Sequence, residues 1–249
     1  MGSYSVIPRI AINEVVRLKR WKSVWFYIPV LVGIWLVALA GDRAVTVLSQ
    51  GTFPDRGRPI VIDAGHGGED GGATSCTGVL ESGINLEIAL RLQDALRLLG
   101  YETHMTRTTA EDLHTHGDTI AARKRSDLTN RVARVNGVTD GVLLSIHQNT
   151  YPDSIYRGSQ VFYAGTEGSR ELALALQTNL SGGLGQLSNR SPKRAKGIYL
   201  MDHITLDGVL IECGFLSNPQ EEALLRSEAY QKKLVCVIAA TLAQYLSNT

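Results

Sequence analysis

The sequence is short of several features that would narrow its class at once. It has three cysteines, Cys76, Cys213 and Cys236, an odd number with no CxxC pair. No disulfide framework is required, a cysteine-based metal knuckle is excluded, and buried or neutral thiols are the expected state of all three. An excess of charge is missing too: 25 Lys and Arg stand against 24 Asp and Glu, a net of +1. That leaves no electrostatic footprint for nucleic acid, so this partner class is set aside. There is no internal repeat, no low-complexity tract, no local metal signature such as HExxH, and no second domain to bind a polymer. What is present, 44% hydrophobic and 20% charged residues, is an ordinary globular composition.

Residues 23–41 carry no charge, and Arg17, Lys19, Arg20 and Lys22 precede them. The run is just long enough to span a hydrocarbon core, and Trp21, Trp25 and Trp35 suit interfacial positions. The basic cluster keeps residues 1–22 cytoplasmic and sends the bulk of the chain outside. Two forms of export compete. One is an uncleaved signal anchor, favoured by the length of the run. The other is a cleaved signal peptide, with Ala38-Leu39-Ala40 as the small-residue site. Residues 42–58 read as a linker, broken by Gly51, Pro54 and Gly57. Residues 59–249 then form one domain, long enough for a substantial core.

Within that domain, five buried strands are expected, at 59–64, 101–106, 141–146, 159–164 and 208–213. Between them lie helical patterns. One starts at Glu81, with Ile84, Ile88, Leu92, Ala95, Leu96 and Leu99 in register and Gly100 as its stop. A second spans 121–136, with Leu128, Val132 and Val135 facing inward, and a third spans 169–184 on Leu172, Leu176 and Leu180. A C-terminal helix carries the stripe Tyr230, Leu234, Val237, Ile238, Thr241, Leu242 and Tyr245. Residues 108–119 are polar and read as a loop. The alternation predicts an α/β fold of three layers, a mostly parallel twisted sheet with helices on both faces, preceded by the transmembrane or signal segment.

Three chemically capable residues fall at strand ends. His66 follows the first strand, His147 follows the third, and Glu212 ends the fifth. In open parallel sheets ligands bind outside the carboxyl ends of the strands, so the three should converge on one crevice. Glu81, at the start of a helix and the end of the loop leaving His66, can swing into the same space. Two imidazoles and a carboxylate form a catalytic zinc set, and a further carboxylate, Glu212, would handle protons for an amide, whose nitrogen leaves poorly unless protonated. The Gly65, Gly67, Gly68, Gly71 and Gly72 cluster lets backbone approach closely. Cys213 follows Glu212 and should point to the opposite face. The bland alternative is that each histidine is a hydrogen-bonded structural residue, and Glu69 or Asp70 competes with Glu81 for the metal.

Four segments carry a resemblance: IVIDAGHGGEDGGA (60–73), VLESGINLEIALRLQDALRLLGYETHMTR (79–107), LLSIHQN (143–149) and GVLIECGFLSNPQEEALL (208–225). In these the chain resembles the zinc-dependent N-acetylmuramoyl-L-alanine amidases from Pro59 to its end. The resemblance implies one zinc ion held by His66, Glu81 and His147, with Glu212 as the general acid/base. It implies cleavage of the amide between the lactyl group of N-acetylmuramic acid and L-alanine of the peptidoglycan stem peptide. The segments 122–136, 195–201 and 215–234 are similar to the spore-cortex, germination-specific branch, which works with a deacetylase to make muramic-δ-lactam. The 108–119 loop and residues 189–193 depart from it. A relative without wall-binding repeats also implies an accessory protein that helps it hold zinc or find substrate.

Other polar residues are placed more loosely. Asn149, Arg107 and His203 are candidate substrate contacts. Asn85 caps or braces the helix carrying Glu81. His114 and His116 read as exposed loop histidines and His104 as structural, and Lys193, Arg194 and Lys196 form a small basic patch, solvated by default. Two other functions remain: a zinc carboxypeptidase-type peptidase using the same chemistry on a peptide terminus, and a non-catalytic, membrane-tethered glycan-binding protein.

Overall fold

The computed structural model describes residues 57–186 and 189–248. The expected membrane segment at 23–41 and nearly all of the linker lie outside the described residues. Among the described residues no helix is long and apolar enough to cross a membrane.

The sheet grows from short β-branched runs. Strand β1 (Ile60–Ala64) is buried throughout, so both its faces are covered. It pairs in parallel with β2 (Thr103–Met105) on one side and β3 (Val142–Asn149) on the other. Strand β6 (Asp207–Phe215) lies parallel to β3. Strand β4 (Gln160–Tyr163) runs antiparallel against β6, and the two-residue β5 (Lys193–Arg194) closes the edge. The order is β2-β1-β3-β6-β4-β5. The sheet is thus mostly parallel, and β1, β3 and β6 bring their carboxyl ends to one edge.

Helices α1 (Glu81–Leu98), α3 (Ser169–Gly183) and α6 (Glu228–Ser247) cover one face. Their stripes, Ile84-Ile88-Leu92-Leu96, Leu172-Leu176-Leu180 and Leu234-Ile238-Leu242, interleave with Ile60, Ile62, Leu144, Ile146 and Ile211. Each such side chain contributes about 1.5–3 kcal/mol on burial. Leu99, expected in the α1 stripe, is exposed because the helix ends before it and the chain turns at Gly100 with φ +91°. Helices α2 (Ile120–Asn136) and α4 (Tyr199–His203) cover the other face over Val61, Leu143 and Leu210. A short α5 (Pro219–Leu225) follows β6, capped by the Asn218 side chain.

Two departures bear on function. The third and fifth strands run past their expected ends, so His147 lies inside β3 and Glu212 inside β6, directly opposite each other in the ladder. The buried face of α2 is largely polar, made of Ser126, Asp127 and Arg131 beside Val135. Of the three residues expected inward there, Val135 alone is fully buried.

Candidate active site

Sheet alternation decides which side chains meet. Gly65, His147 and Glu212 stand side by side on the face that α2 and α4 cover, while Cys213 points into the opposite core. Gly65 is required there: a Cβ would come within 2.3 Å of the His147 ring. The next residue, His66, has φ +61°, a left-handed conformation that costs a non-glycine residue roughly 1–2 kcal/mol. Arg131 holds it by donating from Nη2 to the His66 carbonyl at 2.6 Å. The loop returns through Gly72, φ +68°, where a side chain would strike both Glu81 and His66.

Glu81, 3% exposed at the start of α1, sits between the two imidazoles. His66 Nε2 is 3.3 Å from its Oε2, and His147 Nδ1 is 3.1 Å from its Oε1. Backbone N–H groups of Ala73 and Gln148 and the Asn85 amide also donate to it. Burial pushes the Glu81 pKa up, but hydrogen bonds from His147 and His66 outweigh it and hold the carboxyl far below its usual range. Asn85 braces this carboxylate rather than capping the helix, and donates to the Gly65 carbonyl too. Donor atoms of His66, Glu81 and His147 all lie within 4.8 Å of one another. Among the described residues no other group of three or more His, Cys, Asp or Glu side chains is placed to share an ion.

Glu69 and Asp70 are placed differently from Glu81. Glu69 is paired with Arg123 at 2.6 Å, away from the cluster. Asp70 takes the far nitrogen of His66, Oδ2 to Nδ1 at 2.9 Å, and is itself paired with Lys124 at 2.9 Å. A proton on Nδ1 donated to Asp70 leaves the Nε2 lone pair facing Glu81.

Glu212 completes the group from β6. Its buried Oε2 has no hydrogen-bond partner among the described residues. Burial is the main cause that raises its pKa to about 7, with His147 opposing and Glu81 adding to the rise. A carboxyl poised near neutrality, one oxygen unengaged, can both accept and give up a proton. A crevice of about 260 Å³ opens beside His66 and His147, walled by Lys124 and Leu128 of α2 and by Ile198 and Tyr199 before and in α4.

The expected substrate contacts fare unevenly. Arg107 is 3% exposed and donates to the carbonyls of Ala64, Gly65, Ser82 and Thr109, so it frames the glycine loop instead of facing the crevice. His203 is exposed, bonded to the Tyr199 carbonyl and stacked on the Tyr199 ring at 4.2 Å; it is Tyr199 that lines the crevice. Asn149 ends β3, and its carbonyl accepts from Leu216. His114 lies against Asp112, His116 contacts Thr115 and Ser126, and His104 pairs with Glu102, all apart from the cluster. Lys193 and Arg194 are exposed on β5. The frame residues Asp63, Asp127 and Arg131 and the wall residues Lys124 and Tyr199 escape sequence reasoning. The i, i+4 spacing of Asp127 and Arg131 was the signal available for the frame.

An imidazole–carboxylate cluster and a buried carboxyl at the carboxyl edge of an α/β sheet are the parts a hydrolase needs. The N-acetylmuramoyl-L-alanine amidase family profile matches residues 60–244. The chain is 38% identical over 199 residues to a germination-specific N-acetylmuramoyl-L-alanine amidase of Bacillus subtilis (strain 168), covering 79% of this chain and 83% of that one. The CwlD amidase of Clostridioides difficile, solved in complex with the GerS lipoprotein, superposes with a TM-score of 0.74 at 34% identity, covering 77% of this chain and all of that one. The catalytic domain of CwlV, an amidase of Bacillus (Paenibacillus) polymyxa, gives 0.66 at 28% identity over 77% of this chain and 99% of its own. The chain belongs to the N-acetylmuramoyl-L-alanine amidase family.

Proposed function

We propose that this amidase is a zinc enzyme that cuts the amide between the lactyl group of N-acetylmuramic acid and L-alanine of the stem peptide. The observation that carries the reading is the convergence of His66, Glu81 and His147 beside the partnerless Oε2 of Glu212. The donor set fits zinc in kind and spacing. Ligands about 2.0–2.2 Å from a tetrahedral ion stand about 3.4 Å apart, and Glu81 already lies 3.3 and 3.1 Å from the two imidazoles. Bound there, zinc supplies Lewis acidity, polarising the scissile carbonyl and making water a nucleophile at neutral pH. The chain's own groups do the rest. Glu212 takes the proton of the attacking water on Oε2 and gives it to the departing nitrogen. Asp70 keeps the His66 ring in one orientation and one tautomer.

That role of Asp70 gives a direct expectation. Asp70→Ala should weaken zinc binding by about 10–100-fold, the usual cost of losing a carboxylate behind a metal-bound imidazole, read by titration against a chromophoric chelator. Unchanged affinity would show that His66 needs no such support.

The germination-specific relative supports a role in spore cortex. Removing the stem there leaves the lactyl carboxyl free, and a deacetylase frees the amine with which it closes the lactam. Amidases acting on wall polymer work outside the cytoplasmic membrane, consistent with export through residues 23–41 as an anchor or signal peptide. The lipoprotein bound to the solved relative supports an accessory partner for this chain. The test is mass spectrometry of cortex peptidoglycan treated with the full chain and zinc. Stem peptides with a free L-alanine amine are expected. Free amino acids from peptide termini would mean a peptidase, and no product at all a non-catalytic binder.

A further inference from the structure

The loop between β3 and β4 carries an exposed aromatic cluster that the chemistry above does not use. Tyr151 is 50% exposed, Ile155 72% and Tyr156 40%. The two tyrosine rings meet edge-on at 4.4 Å, and Tyr156 rests at 6.2 Å on Phe215, which is buried. Apolar side chains gathered like this on a surface mark interaction sites.

The loop is fastened along its length. Tyr151 N–H donates to Ser217 Oγ, Asn218 Nδ2 to the Ser154 carbonyl, and Gly158 N–H to the buried Glu221 carboxylate. Arg190 reaches from the β4–β5 connection to the Arg157 and Gly158 carbonyls and lies over the Phe215 ring at 5.0 Å. Rings held this way meet a ligand with little further ordering cost.

Position names the occupant. The loop leaves β3 at Asn149, two residues past His147, and rests on Phe215, three residues past Glu212. At roughly 3.3 Å per strand residue, Phe215 stands about 10 Å beyond Glu212 along the sheet. The substrate amide hangs from one sugar of a polymer, and a strand continuing from that sugar past the end of β6 meets this loop. Pyranose rings present C–H faces that pack on aromatic rings, and tyrosine adds a hydroxyl for their polar rims.

The geometry points to Tyr151 and Tyr156 as a sugar-stacking subsite that binds the glycan strand next to the sugar bearing the scissile amide. This rests on the amidase reading and adds a preference for polymer over short substrate. The test compares full-length wild type, Tyr151→Ala/Tyr156→Ala and Tyr151→Phe/Tyr156→Phe on intact glycan strands and on a muramoyl peptide with a single sugar. The alanine pair should raise KM on strands about tenfold with kcat held, and leave the single-sugar substrate unaffected. The phenylalanine pair should restore most of the loss. Co-sedimentation with peptide-free glycan should fall in parallel with the alanine pair. Equal loss on both substrates, or no change on strands, overturns the subsite. Unchanged kinetics with loss of a partner protein's binding also overturns it, assigning the loop to a protein contact. Wild type that frees no L-alanine amine from either substrate would instead refute the amidase reading.

Discussion

Glu212→Gln should lower kcat by about 10²–10⁴-fold while zinc still binds, the range expected when a positioned proton-transfer group is lost. The amide keeps the size and one acceptor oxygen of the side chain but cannot take up a proton. Zinc affinity should hold because the three donor residues are untouched and Glu212 contributes none of the hydrogen bonds that fix Glu81. Steady-state rates with chelator titration check both halves; activity near wild type would remove Glu212 from the reaction. A second consequence appears in the metal-free protein. Burial raises the Glu212 pKa to about 7 in the folded chain, whereas an unfolded glutamate titrates near its usual ~4.3. The folded state therefore binds the proton more tightly. The stability this confers is fully present below pH ~4.3 and is lost as the pH rises through 7, by up to about 4 kcal/mol. Glu212→Gln has no such loss. Urea midpoints should show the variant gaining on wild type between pH 4.5 and 7.5, and parallel curves would mean that the carboxyl is not desolvated.

The readable part of the site is which residues it gathers. His66, His147 and Glu212 were legible because short β-branched runs announce buried strands, and parallel strands deliver the residues at their carboxyl ends to one crevice. Glu81 was nominated by its place at a helix start, but nothing local separated it from Glu69 and Asp70. The difference in their placement comes partly from α2, where Arg123 pairs with Glu69 and Lys124 with Asp70, which keeps its contact with the far side of His66. Hydrophobic periodicity recovered α1, α3 and α6, whose buried faces are mainly apolar. It recovered α2 as a helix too, but misread most of its inward face, which beside Val135 holds an arginine, an aspartate and a serine, residues that patterning assigns to solvent. Arg107 was misplaced for the same reason: a guanidinium can be buried when backbone carbonyls surround it, and no pattern in the sequence counts carbonyls. Helices α4 and α5 are short, stabilised by packing and by the Asn218 cap, so their local signal was weak.

The buried charges beneath the glycine loop carry the second large effect. Arg131 is 2% exposed; it donates to Asp63 at 2.7 Å, Asp127 at 2.8 Å and the carbonyls of Ala64 and His66. Asp63 also accepts from Thr106 and Ser145. Burial alone would raise the Asp63 pKa, but Arg131 and these hydroxyls bring it down to about 2. Arg131→Met keeps the bulk and strands two aspartates, which should cost about 3–5 kcal/mol in urea unfolding at pH 7. The loss should shrink in acid. The Asp63 contribution to stability is present above its unfolded pKa near 3.9 and fades as the pH falls through 2, where wild type approaches the variant. Neutralising the partners as well, with Asp63→Asn and Asp127→Asn added to Arg131→Met, should recover a large part of it, since the penalty lies in unpaired charge. Function should not recover with stability. Without Nη2 on its carbonyl, His66 has less to hold it at φ +61°, so the triple variant should fold well and bind zinc weakly. A triple variant with wild-type zinc affinity would show that the glycine loop holds His66 without α2.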